Sequence, residues 1–190
     1  MGSDGLQTVT APLSAGELAV LWTVRLSLVC FWISLELRML AAGREQRLQA
    51  ARLFWTVGYV AFVVHFLTAF HFVHHWSHAD AFAVTARRTA QTVGMPFGAG
   101  IYVNHLFLVV WGIDVVWWWI KPANYLRRAR WMTWAILGFM VFIAFHATVT
   151  FGQGPIRWWG LAGTLCLAGS LAWTALRRPG EMVTTARRTL

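Results

Sequence analysis

The sequence predicts an all-α integral membrane protein: a bundle of five transmembrane helices, N-terminus outside and C-terminus cytoplasmic, with a short outer-surface helix between helices 2 and 3. Three observations predict it. Five apolar runs each reach the roughly 20 helical residues that a hydrocarbon core requires. The chain of 190 residues is 58% hydrophobic and only 12% charged, against roughly 45–50% and about 25% for soluble domains. The Lys and Arg residues alternate in density between successive connections, as they do when positive loops stay in the cytoplasm.

The runs, in order, cover roughly 17–40, 53–76, 98–120, 130–151 and 156–176, all within a single domain, 1–190. The segment Met1–Gly16 holds no Lys or Arg and no apolar core, so it does not read as a cleaved signal peptide. The connection 41–52 is polar and carries Arg44, Arg47 and Arg52. The second connection, 77–97, is the longest; its Ala, Thr, Val and Arg content predicts a helix over 80–93, with Asp80 near the N-terminus. Pro122 is expected to stop the third span. The Gly152-Gln-Gly-Pro155 turn leads into the fifth, with Pro155 in its first turn, and Pro179-Gly180 is expected to end it.

Orientation follows from charge. Arg38, the first and third connections and the C-terminal tail hold 12 of the 16 Lys and Arg residues; the second connection has Arg87 and Arg88, and the fourth region has Arg157. Tryptophans cluster at run ends, Trp117–Trp119 on one side and Trp158 and Trp159 on the other, as interfacial belts do. The same placement answers the net charge of +9: the cations sit in short clusters between apolar runs, so a nucleic-acid partner is excluded and the lipid bilayer of the inner (plasma) membrane is expected. Other membrane subunits, or further copies of the chain, are possible partners. Two cysteines, both inside apolar runs, leave no disulfide framework.

Five of the seven histidines lie between His65 and His78. His71, His74, His75 and His78 stand at offsets of 0, 3, 4 and 7, which on a continuous helix is one face. At about 1.5 Å of rise per residue, His71 and His146 fall about 8 Å below the outer boundary, His105 about 10 Å and Arg25 about 12 Å. Three spans thus bring an imidazole to one depth and a fourth brings a guanidinium, while His65 lies deeper. Ionisable groups inside a span are costly and mark bundle interiors, partners or cavities. Asn104 beside His105 is positioned to orient it. A second polar level collects Glu36, Arg38, Arg52 and Asp114 near the inner side; it reads as a charge pair, with Asp114 or Glu36 answering Arg52 or Arg38.

Imidazole is the commonest protein ligand for metals, and the spacings His71–His75 and His74–His78 suit chelation on a helix. With His105 and His146 these residues make a candidate site for copper, iron or zinc. Haem b is the other use: it needs one or two axial imidazoles, with Arg25 available to a propionate and His65 a further axial candidate. Proton relay or transport, and plain interhelical packing, are the alternatives.

His71-Phe-Val-His74-His75 is similar to the His-x-x-His-His box of membrane fatty-acid desaturases and hydroxylases, which use several such boxes for a cytoplasmic-side di-iron site. The other boxes are missing here, and the charge count places this one outside. Five spans with the N-terminus outside resemble, in architecture alone, the haem-b membrane subunits of respiratory reductases. The expectation is therefore a histidine-built haem or metal site in the outer half, with a redox or electron-transfer role. The alternative is a non-catalytic membrane subunit or small transporter.

Overall fold

The computed structural model describes residues 13–41, 44–152 and 154–187, the last eleven as backbone only. Most of the reading of Met1–Gly16 lies outside them. Helix α1 covers Ala15–Met39. Ser14 starts it with a reciprocal cap: Ser14 Oγ accepts from the Glu17 amide at 3.2 Å, and the Ser14 amide donates to the Glu17 carboxylate at 2.9 Å. Then come α2 (Glu45–Phe72), α3 (His78–Val93), α4 (Gly100–Ile120), α5 (Pro122–Leu126), α6 (Arg130–Phe145) with a π-helical turn over His146–Thr150, and α7 (Pro155–Arg187).

Five of these elements are long and apolar enough to cross a membrane: Ala15–Met39, Glu45–Phe72, Gly100–Ile120, Arg130–Thr150 and Pro155–Leu176. They close into a ring. α1 packs on α2 and α7, α2 on α4, α4 on α6, and α6 on α7. The core is aromatic: Phe31, Trp55 and Trp111 meet pairwise at ring-centroid distances of 5.0 to 5.5 Å, and Phe62 and Phe107 extend the group. The outer faces are apolar too. Leu53, Val57, Val60, Val64 and Leu67 of α2, and Leu106, Val109, Ile113 and Val116 of α4, are exposed at helical spacing. Apolar stripes of that length on the outside suit hydrocarbon rather than water, so the described helices have the character of a multi-pass membrane protein.

Three boundaries differ from expectation. α2 begins at Glu45, eight residues before the apolar run, because Gln49 donates to Glu45 one turn back and the connecting residues are good helix formers. α2 also ends at Phe72, not Trp76. The turn that follows puts His75 and Trp76 at positive φ, 48° and 59°, and Ser77 opens α3 by accepting from the Asp80 amide at 3.1 Å. His71, His74, His75 and His78 therefore do not share a helical face. Finally, α7 runs on to Arg187 through Pro179 and Gly180, where the sequence predicts a stop.

Candidate functional site

Ionisable side chains gather at the two ends of the bundle. The histidine-rich end is organised by the seam between α2 and α4. Phe66 and Phe70 flank His105 at 5.1 and 6.1 Å, His78 from the start of α3 lies 5.7 Å from it, and Tyr102 lies 6.4 Å away. His74 packs on Phe70 at 5.7 Å and meets the Asp80 carboxylate at 2.9 Å. Asp80 thus folds back and pins the turn that breaks the histidine stripe. His71 is exposed and its Nδ1 accepts from Trp76 Nε1 at 3.2 Å. His75 is exposed at the turn.

The expected layer of His71, His105 and His146 is not where the imidazoles gather. The structure brings His105 together with His78 and, across Phe70, with His74. The ring contacts of His146 among the described residues are with Phe142 and Phe145, and it opens the π-helical turn, its carbonyl accepting from the Phe151 amide. Arg25 lies over Trp22 at 5.0 Å. Asn104 is exposed on α4, and its side chain makes no hydrogen bond among the described residues. No group of three or more His, Cys, Asp or Glu side chains among those residues is placed to hold a metal ion.

Three of the four histidines within the long apolar helices share one arrangement, which His71, whose Nδ1 accepts from Trp76, does not. His65 Nδ1 lies 2.9 Å from the Val20 carbonyl of α1, His105 Nδ1 is 2.7 Å from the Ile101 carbonyl, and His146 Nδ1 is 2.9 Å from the Phe142 carbonyl. A carbonyl can only accept, so Nδ1 carries the proton in each case. In the neutral ring this leaves the lone pair on Nε2, the tautomer that a ligating imidazole uses.

The arginine-rich end holds the more completely built cluster. Asp114 of α4 is 1% exposed. It accepts from Trp55 Nε1 at 2.9 Å, from the Tyr125 hydroxyl at 2.7 Å and from Arg128 Nη1; Arg38 Nη2 stands 3.8 Å away. The Arg38 guanidinium lies between the rings of Trp55 and Trp118, at 4.2 and 4.1 Å, with Nε and Nη2 buried and unbonded. Tyr125 stacks on Trp118 at 4.7 Å. Burial pushes its phenol well above the ordinary tyrosine range, with Asp114 adding to the shift and Arg38 opposing it, so it stays a donor. Glu36 instead accepts from Ser170 of α7 at 2.6 Å. Of the pairings that the sequence left open, Asp114 with Arg38 is present. Sequence reasoning missed Arg128 and Tyr125, which reach Asp114 because Lys121 breaks α4 and Pro122 starts α5, folding the chain back under the bundle.

Comparison of the chain with known protein families, with curated proteins and with solved structures finds no match.

Proposed function

We propose that the chain is a membrane-integral redox subunit whose histidine-rich end would hold haem b, with His105 as the residue that would ligate it. The observation that carries this reading is the shared state of His65, His105 and His146: each Nδ1 is tied to a carbonyl and each Nε2 is left available. Haem fits this donor set better than a bare ion does, because it needs one or two imidazoles and not the three or four ligands that the described residues fail to assemble. His105 is the best placed of the three, held on an aromatic frame of Phe66 and Phe70. The π-helical turn that starts at His146 is consistent with a functional region, where such turns concentrate. Bound haem would supply one-electron chemistry; the chain's own residues orient the ligand and exclude water. Partner subunits or further copies would then exchange electrons with it across the bilayer.

A second reading, in which the histidines serve packing or proton relay, draws on the His65–Val20 bond between α2 and α1 and the His74–Asp80 pair. Purified protein separates the two. The haem reading expects a Soret band at stoichiometric haem, lost in His105→Ala and kept in His75→Ala. A spectrum without that band, together with no stoichiometric iron, copper or zinc by elemental analysis, returns the histidines to packing. Haem retained in His105→Ala would show that the ligand is another imidazole.

A further inference from the structure

At the arginine-rich end of the α2–α4 seam, Arg52 presents a cation that no carboxylate among the described residues answers. Its guanidinium lies on the face of Trp119 at 4.1 Å, and its Nε is buried with no hydrogen-bond partner. The platform beneath it is fixed: Trp119 Nε1 donates to Thr56 Oγ1 at 2.9 Å, and Thr56 Oγ1 donates to the Arg52 carbonyl at 2.8 Å. The other cations nearby behave differently. Arg38 and Arg128 share Asp114, and Arg47 donates to the Leu40 carbonyl that ends α1.

The position of Arg52 selects its partner. It stands at the boundary where α2 turns apolar: Leu53, Val57 and Val60 follow on α2, and Ile120, Val116 and Ile113 lead away from Trp119 on α4, all exposed. A ligand seated here meets a guanidinium at one end and an outward apolar surface beyond it. We infer that Arg52, on its Trp119–Thr56 platform, is a binding site for the phosphate of a membrane phospholipid, the acyl chains lying along the exposed faces of α2 and α4. A free anion satisfies the charge but leaves the apolar surface unused; a lipid satisfies both. This site is independent of the histidine-rich end and of any haem there.

Native mass spectrometry of the full chain in detergent tests it, with dioleoylphosphatidylglycerol as the probe because its single charge is the phosphate. The wild-type chain is expected to retain one such lipid. Arg52→Gln should weaken that binding about tenfold, the loss of one charge-assisted contact, while Arg127→Gln, on an exposed arginine of the same end, leaves it unchanged. Arg52 has no carboxylate to orphan, so Arg52→Gln should melt with the wild type; if it does not fold, Trp119→Leu, which keeps the charge and removes the platform, should weaken retention instead. Equal retention in Arg52→Gln, or an equal loss in Arg127→Gln, overturns the site. Displacement of the lipid by millimolar inorganic phosphate would make it a soluble-anion site and overturn the lipid assignment.

Discussion

Asp114 shows how much one carboxylate can organise. Three donors and a nearby Arg38 converge on it from α1, α2, α5 and the loop after α5. Removing its charge leaves two buried guanidinium groups facing each other's field without a counterion, the situation in which breaking a buried pair costs about 3–5 kcal/mol. Asp114→Asn is therefore expected to lower the melting temperature sharply in detergent, followed by circular dichroism. The double substitution Asp114→Asn with Arg38→Met should recover part of the loss, because it removes a cation whose Nε and Nη2 already lack partners. No recovery would mean that Arg38 contributes mainly through its stacking on Trp55 and Trp118. That Asp114 could answer an arginine of the inner level was legible in the sequence from their shared depth, with Arg38 one of the two partners left open. Arg128 was not, because depth counting treats a loop as lying outside the bundle, and only the break at Lys121 and Pro122 turns this one back.

At the scale of elements, α7 and the π-helical turn approach closely at Gly160. A Cβ on Gly160 would overlap the side chain of Thr148, which is itself buried and bonded to the Ala144 carbonyl at 2.7 Å. Gly160→Ala should force α7 away from the turn and cost about 1–3 kcal/mol, as overpacking does. Gly138→Ala, where nothing lies within 4 Å of the added Cβ, should be neutral or stabilise α6 by up to about 1 kcal/mol. Recovery of monodisperse protein after heating would rank the two, and equal losses would contradict the packing. Hydropathy located all five helices that are long and apolar enough to cross a membrane, since length and apolar content are what it reads. It misplaced the ends. The start of α2 depends on polar helix formers that hydropathy counts as loop. Its end depends on competition between extending the histidine stripe and capping α3 with Ser77 and Asp80. The local bonds to Ser77 and Asp80 win, and with them the single histidine face is lost. What remains of the sequence-derived site is carried by tertiary position: His105 meets His78 because the α2–α3 turn lays α3 beside the first turns of α4.

At the scale of the whole molecule, the two polar clusters occupy opposite ends of one seam. Along α2 and α4 the contacts run from Thr56–Trp119 through Tyr59–Trp111 and Phe62–Phe107 to Phe66–His105, so the charged end and the imidazole end are separated by an aromatic core. Which end faces which side decides what each can meet. The connections at the arginine-rich end carry Arg44, Arg47, Lys121, Arg127 and Arg130, against Arg87, Arg88 and Arg157 at the other, so the prediction from the positive-inside rule is that the richer end faces the cytoplasm. Single cysteines at exposed sites test this in a background with Cys30 and Cys166 replaced by Ser. Gln91→Cys on α3 should react with a membrane-impermeant maleimide on intact cells. Asn124→Cys on α5 should react only after lysis. The reverse pattern would move the histidine-rich end to the cytoplasmic side, and the proposed haem with it. The Arg52 site would keep its chemistry but draw its lipid from the other leaflet, because its affinity comes from one guanidinium, one indole face and an apolar surface, none of which depends on orientation.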